Sequence, residues 1–476
     1  MSRMASLRDR TAIDTAASRD PDDERLMRKG SRVNNALLSR RDFLRATAAA
    51  AGLAACAPSV GRAGAGGGGG KPNIVLIMAD DLGYETIGAN GGTSYKTPVL
   101  DRLAERGVRF DQCYAQPLCT PSRVKIMTGI YNVRNYVQFG FLDPGETTFA
   151  HLLKRAGYAT CVVGKWQLKG GFDGPGHFGF DEYCLWQLTR RPARYPNPGL
   201  ETGGKQVDYT GGEYGPDVVS DYACDFIRRH KRGPFLVYYP MILTHCPFVP
   251  TPDSPDWDPK SKGSKNYKGD PKYFGDMVTY MDKIVGKILR ALDEAGLREN
   301  TLVLFTGDNG TDQPIVSAMG DRQVAGGKGR TTDAGTRVPL IVDWPAKVKG
   351  GRVCTDLVDF SDVLPTLCEA AGASVPQKRN IDGRSFLPQV QGRKGDPRKW
   401  IYCWYARGGK AKAAKVFARN QQYKLYASGQ FYDVREDPTE NHPLKAGTLV
   451  DNAARARDFL QSALDRYKDA RPQRLR

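Results

Sequence analysis

The stretch NIVLIMADD, residues 73–81, decides how the chain folds. Ile74 to Met78 are all apolar and mostly β-branched, with no polar alternation. That is the pattern of a strand buried on both faces. The run then passes without a break into Asp80-Asp81. Four similar runs follow: ATCVVG (159–164), FLVYYPM (235–241), TLVLFTG (301–307) and VPLIVDW (338–344). Helical patterns stand between them. TPVLDRLAERG (97–107) offers Thr97 as N-cap, Pro98 at the first helical position, Leu100 and Leu103 on one face, and Gly107 as a stop. TFAHLLKRAG (148–157) also ends at a glycine, and YFGDMVTYMDKIVGKILRALDEAG (273–296) is long and amphipathic. Strands alternating with helices predict an α/β protein with a large mixed, mostly parallel sheet sandwiched by helices.

Past Gly372 the texture changes. WIYCWYA, KVFARNQQYKLYA and QFYDV read as short aromatic strands with turns between them, and a helix follows over 451–468. This predicts a smaller C-terminal α+β subdomain with an antiparallel sheet. No internal repeat is visible.

The 476 residues carry a formal net charge of +18. A basic balance favours anionic partners, and a solvated basic surface is the plainer explanation. No Lys/Arg run is interleaved with aromatics, which speaks against nucleic acid as a partner. Ten cysteines are scattered without a CxxC pair, so no zinc site is expected.

The first 70 residues do not read as fold. SRRDFLRATAAAAGLAACAPS (39–59) places Arg40-Arg41 ahead of a short apolar run, too short to span a bilayer. This is the layout of an export signal, and the twin arginine marks the twin-arginine route. Leu53-Ala54-Ala55-Cys56 resembles a lipobox, making Cys56 a candidate lipid anchor; simple cleavage between Ala55 and Ala63 is the alternative. The expected location is the periplasm, free or as a membrane-anchored lipoprotein. Met27 is an alternative start. AGAGGGGGK (63–71) reads as a flexible linker.

Open α/β sheets place their sites at the C-terminal ends of their strands. Asp80-Asp81 follows one buried strand and Asp308-Asn309-Gly310 another. Together they offer oxygen ligands to one hard divalent cation, with calcium favoured and magnesium the alternative. Taken singly, each is equally a cap or a tight turn. PLCTPSR (117–123) adds Thr120 as a helix cap, Pro121 for the first turn, and Cys119 at the helix start, where the dipole favours negative charge. Arg123 brings a guanidinium that pairs with two oxygens of a tetrahedral anion. A thiolate nucleophile at Cys119 is one reading.

Cys119-Thr120-Pro121-Ser122-Arg123 resembles the Cys-x-Pro-x-Arg motif of the type I sulfatases, in the alkaline phosphatase superfamily. VKIMTGIY (124–131), GKWQL (164–168), GRTTDAGTRVPLIVDWP (329–345), DGRSFLP (382–388) and QFYDVREDPTEN (430–441) are similar to family segments in family order. The resemblance implies an alkaline phosphatase-like fold. It divides the chain into signal and linker (1–70), a catalytic domain (71–373) and a C-terminal subdomain (374–476). It further implies that a maturation enzyme oxidises Cys119 to formylglycine. Asp80, Asp81, Asp308 and Asn309 would hold calcium, with modified Cys119 completing the shell. Arg123 and Lys165 would stabilise the modified residue. His245 and Lys328 would face the leaving group.

Chemically, a hydrated aldehyde would attack sulfur through one hydroxyl and expel sulfate through the second. His245 or Lys328 would protonate the departing alkoxide. Gln167 stands where family members often carry a histidine, and an amide orients a hydroxyl but cannot act as a base. The expected activity is hydrolysis of a sulfuric ester, with a sulfated carbohydrate as the favoured partner. A phosphonate monoester or phosphodiester hydrolase of the same superfamily, and a silent sulfoglycan-binding protein, are the alternatives. His177 is a further pocket candidate. Arg190-Arg191 reads as a surface pair, with a clamp on a second substrate anion as the alternative.

Overall fold

Sixteen strands are described: β1 (Asn73–Ala79), β2 (Val108–Tyr114), β3 (Ala159–Lys165), β4 (Glu182–Trp186), β5 (Gly199–Thr202), β6 (Lys205–Asp208), β7 (Phe235–Pro240), β8 (Thr301–Gly307), β9 (Val316–Met319), β10 (Arg322–Ala325), β11 (Arg337–Asp343), β12 (Arg352–Asp359), β13 (Ile401–Tyr405), β14 (Lys415–Arg419), β15 (Tyr423–Tyr426) and β16 (Phe431–Asp433). The computed structural model describes residues 70–264, 266–376, 380–445, 447 and 449–475. Arg40, Arg41 and Cys56, and with them the expected signal and lipidation site, lie outside the described residues. The described residues belong to one compact unit, Gly68–Arg476. No helix among them is long and apolar enough to cross a membrane.

Ten strands form the main sheet in the order β12-β2-β11-β8-β1-β7-β3-β4-β5-β6. The centre, β8-β1-β7-β3-β4, is parallel throughout. β11 runs antiparallel to both β8 and β2, and β5 and β6 close the far edge antiparallel. The sheet is therefore mixed and mostly parallel, as the unbroken apolar runs predicted.

β1 shows why both faces are covered. Ile74, Leu76 and Met78 point into one apolar cluster, which includes residues of the Cys119–Thr128, Phe149–Arg155, Val363–Ala371 and Asp451–Tyr467 helices. Val75, Ile77 and Ala79 point into the other, which includes residues of the Pro98–Arg106, Gly215–Arg229 and Phe274–Glu294 helices. Each fully buried aliphatic side chain there contributes roughly 1.5–3 kcal/mol.

The aromatic C-terminal segments form the antiparallel sheet β13-β14-β15-β16. It does not stand apart. Tyr402 and Trp404 of β13 and Leu425 of β15 join the first apolar cluster of the main sheet.

One local expectation holds in position and another is corrected. Thr97 is the N-cap of its helix, but its hydroxyl makes no capping bond; it accepts from Gly88 N and donates to Asp101 instead. Thr120 does not cap the next helix. That helix begins at Cys119 with Leu118 as N-cap, and the Thr120 hydroxyl accepts from Gly140 N and donates to Gln167 Oε1.

Candidate active site

The site lies at the C-terminal ends of four neighbouring parallel strands. β1 delivers Asp80 and Asp81, β8 delivers Asp308 and Asn309, and β3 ends on Lys165. The segment after β7 carries His245. Register sets Ala79 beside Gly307, so the two acidic segments leave the sheet side by side. Asp80 N donates to Leu243 O at 2.8 Å and Thr244 N to Asp80 O at 2.8 Å, which ties the β7 segment to the β1 end. Gly164 allows β3 to pass close to β7. It has φ +110°, and a side chain there would meet Pro240 O at 2.1 Å.

Cys119 begins a ten-residue helix that is buried throughout. Its Sγ lies 3.3 Å from Asp80 Oδ1 and 3.8 Å from Asp81 Oδ1. One turn on, Arg123 donates to Lys165 O at 2.9 Å and reaches Asp308 Oδ2 at 3.3 Å. Lys165 Nζ sits 2.6 Å from Asp80 Oδ2. Lys328 arrives on the loop 326–330. Its Nζ lies 2.5 Å from Asp81 Oδ2 and 3.2 Å from His245 Nε2. Gly327 lets that loop press in, since a Cβ there would meet Ala334 C at 2.3 Å.

The sequence therefore located residues that the fold brings together: Asp80, Asp81, Cys119, Arg123, Lys165, Gln167, His245, Asp308, Asn309 and Lys328. Gln167 is attached through Thr120 and adopts φ +57°, an unusual backbone for a glutamine. His177 is not brought in; it is exposed and bonded to Pro144 O. His151 forms a capping box with Thr148.

Electrostatics separate the groups. Burial alone would raise Asp80, but Lys165, with Arg123 and Lys328 behind it, holds its carboxyl well below the usual range. Burial and the Asp80 charge push Asp308 up to about 8 against the pull of Arg123. Burial and the cations Lys328 and Lys165 hold His245 well below its ordinary value, so its imidazole is neutral. Burial, Asp308 and Asp80 push the Cys119 thiol well above its ordinary value. At the thiol, burial and the surrounding carboxylates act against the helix dipole.

Asp80, Asp81, Cys119 and His245 each offer a ligand atom within 4.8 Å of the others. Asn309 Nδ2 donates to Asp81 Oδ1 at 2.8 Å, while Asn309 Oδ1 is buried without a partner. Crowded carboxylates with an orphaned amide oxygen beside them make a donor set that fits a hard divalent cation.

Three neighbours escaped the sequence reading. Arg194 lies 3.0 Å from His245 Nδ1 and its guanidinium stacks 3.8 Å above the Trp186 ring. Asp312 is buried and paired with Lys268 at 3.1 Å, and its charge acts on Asp81. Tyr405, at the end of β13, lies within the electrostatic reach of Cys119 and Lys328, and burial pushes it up to about 12. Only Asp312 had a local signal, standing in the polar run after β8.

An α/β sheet of this order with helices on both faces has the alkaline phosphatase-like fold. The chain belongs to the sulfatase family: the model described as Sulfatase matches residues 72–373, and one described as N-sulphoglucosamine sulphohydrolase, C-terminal, matches residues 328–464. It is 32% identical over 417 residues to steryl-sulfatase of Mus musculus, covering 67% of this chain and 65% of that one, just under two thirds of the relative's length. It is 32% identical over 449 residues to arylsulfatase A of Bos taurus, covering 84% and 82%. The crystal structure of Ps i-CgsB in complex with k-i-k-neocarrahexaose is similar, with a TM-score of 0.70 at 26% identity, over 85% of this chain and 94% of that one.

Proposed function

We propose that the protein hydrolyses a sulfuric ester on a sulfated carbohydrate, with Cys119 converted to formylglycine and a calcium ion in the carboxylate cluster. The observation that carries this reading is the seat of Cys119: its Sγ lies 3.3 Å from Asp80 Oδ1 at the start of a buried helix that also carries Arg123. The likeness to Ps i-CgsB, whose complex holds a neocarrahexaose, supports a saccharide substrate.

Asp80, Asp81, Asp308 and Asn309 would hold the cation. When bound, it supplies a Lewis acid that polarises the ester and acidifies an oxygen it contacts. As formylglycine, residue 119 supplies the attacking oxygen and the second oxygen needed to release sulfate.

The chain's other residues bind, orient and move protons. Arg123, fixed by Lys165 O and Asp308, presents a planar fork to the sulfate oxygens. Lys165 and Lys328 add two ammonium charges that balance the charge developing on the sulfuryl group. Lys328 Nζ and the neutral His245 Nε2, 3.2 Å apart, hold a proton between them for the departing oxygen. Gln167 orients a hydroxyl without accepting its proton. Conversion of Cys119 requires a formylglycine-generating enzyme. The motif at Arg40-Arg41 supports twin-arginine export to the periplasm, with lipidation at Cys56 as an anchor.

The test combines peptide mass and turnover. After coexpression with a maturation enzyme, the peptide carrying residue 119 is expected at the formylglycine mass, with release of sulfate from 4-nitrophenyl sulfate faster than hydrolysis of an aryl phosphonate. An unmodified thiol in a fully active preparation would overturn the proposal. A preference for the phosphonate would move the activity to that substrate class.

A further inference from the structure

One arginine beside the cluster has no counter-charge of its own. Arg194 is 5% exposed, and its guanidinium is fixed on two sides. Its face stacks 3.8 Å above the ring of Trp186, the last residue of β4. Its Nη1 lies 3.0 Å from His245 Nδ1. Among the described residues no carboxylate and no further acceptor meets it. The other cations of the site are answered: Lys165 pairs with Asp80 at 2.6 Å, Arg123 with Asp308 at 3.3 Å and Lys328 with Asp81 at 2.5 Å. A guanidinium stays charged and carries five donors, so a buried one with a single engaged donor is costly until an anion reaches it.

The chain nonetheless builds Arg194 in place. Trp186 Nε1 donates to Pro192 O and Gly199 N to Ala193 O, both at 3.0 Å, which closes the segment onto β4 and β5. The next residue, Tyr195, donates through its hydroxyl to Ile242 O at 3.0 Å, in the segment that bears His245. Gly215 N donates to Tyr195 O at 2.9 Å. Gly215 also lets the backbones close in, since a Cβ there would meet Arg194 O at 2.0 Å. Position then decides which anion Arg194 meets. His245 turns Nε2 to Lys328 and Nδ1 to Arg194, so the two cations stand at different edges of one imidazole.

We propose that Arg194 binds a second anionic group of the substrate, a carboxylate or a second sulfate, on the sugar unit that carries the scissile ester. The proposal rests on the sulfatase reading of the cluster and narrows its substrate to sugars with at least two negative groups. Arg123, Lys165 and Lys328 meet the sulfate that reacts, which leaves Arg194 for a different group. Only one imidazole separates Arg194 from Lys328, so that group belongs to the same sugar and not to a distant unit of a polymer. With its face on Trp186 and one donor on His245, the guanidinium offers its remaining donors to two oxygens at once, a fit for either oxyanion. A neutral sugar would leave the buried charge unanswered.

The experiment uses the full chain with calcium on a Cys119→Ala background, so that sugars bind without turnover. Calorimetry measures Kd for monosulfated hexoses and N-acetylhexosamines, for their disulfated forms and for monosulfated hexuronic acids, with each ring position of the sulfate represented. At least one two-anion sugar is expected to bind about tenfold more tightly than its one-anion counterpart, the size of one charge-assisted contact. Arg194→Gln, which keeps an N–H donor for His245 and drops the charge, is expected to remove that advantage. Arg194→Lys, which keeps the charge without the planar fork, is expected to retain part of it, and melting temperatures check that both variants fold. Preference for uronic acids assigns Arg194 to a carboxylate; preference for disulfates assigns it to a second sulfate. No advantage for any two-anion sugar, or an advantage unchanged in both variants, would overturn the proposal. So would an equal loss of affinity for one-anion and two-anion sugars, which would make Arg194 a support for His245 alone. Sulfate release from 4-nitrophenyl sulfate by matured wild-type enzyme is scored separately, so failure of the sulfatase reading is told apart from failure of the second-anion site.

Discussion

Lys165 Nζ lies 2.6 Å from Asp80 Oδ2, and both side chains are shut away from solvent. Removing one partner of a buried pair strands the other charge, at a cost of about 3–5 kcal/mol. Lys165→Ala is therefore expected to lose stability of that order in urea unfolding with EGTA present, and less with calcium, which would answer the same carboxylate. Turnover is expected to fall by roughly 100-fold or more, as for loss of one transition-state donor. A stability change no larger than that of a surface pair would sink this account.

Cation removal is expected to silence the enzyme. EGTA should abolish release of sulfate from 4-nitrophenyl sulfate, and added calcium should restore it. The melting temperature should rise on re-addition, reflecting about 2.7 kcal/mol at a hundredfold excess over Kd. Full activity in EGTA would reject the cation. Restoration by magnesium but not calcium would reassign it.

Glu85 gives a pH signature outside the cluster. It is buried, one of its carboxyl oxygens has no partner, and burial pushes it from 4.5 up to about 7 against the hydrogen bond from Thr311. The native state holds this proton more tightly than the unfolded chain. The associated stability is complete below pH 4.5 and is lost as pH rises through about 7. Glu85→Gln should flatten that slope and, above neutral pH, stabilise the protein by up to about 3 kcal/mol. Parallel stability curves for the two proteins across this window would contradict the burial argument.

Gln167 is held by the Thr120 hydroxyl and already has a backbone φ of +57°. Histidine tolerates that region comparatively well. Gln167→His should fold normally and keep or raise kcat, because an imidazole adds a base where the amide only orients. Complete loss of activity in a folded variant would rule out this role for the position.

What the sequence made legible follows from what acts locally. The unbroken run before Asp80 and the one before Asp308 announce central strands, and carboxylates at two strand ends announce a shared site. β2 escaped notice because VRFDQCY mixes buried and half-buried residues and lacks a continuous apolar run. Thr120 misled as a cap because spacing cannot show a hydroxyl drawn away by Gly140 and Gln167. Cys119 looked like a thiolate because the helix dipole is readable from sequence and the desolvation around it is not. Arg194 reaches His245 across 51 positions, a contact that only packing creates.

The anchoring of the Lys328 loop has a consequence for how the chain can be divided. Lys424, fully buried in β15, donates to Thr331 O and pairs with Glu440 at 2.6 Å, while Tyr426 OH meets Thr331 Oγ1 at 2.9 Å. Arg419 of β14 grips Asp333, and Lys125 of the Cys119 helix reaches the carbonyl of Tyr402 at 3.4 Å. The small sheet is thus a back wall for the loop that carries Lys328, the lysine proposed to face the leaving group. A fragment ending after residue 373 would keep Asp80, Asp81, Asp308 and Asn309, the proposed cation ligands, and still release Lys328 from its mount. On the proposed roles, binding of metal and turnover of ester would then part company, and an exchange of the C-terminal segment between relatives would carry over the mount of Lys328 along with the surface it displays.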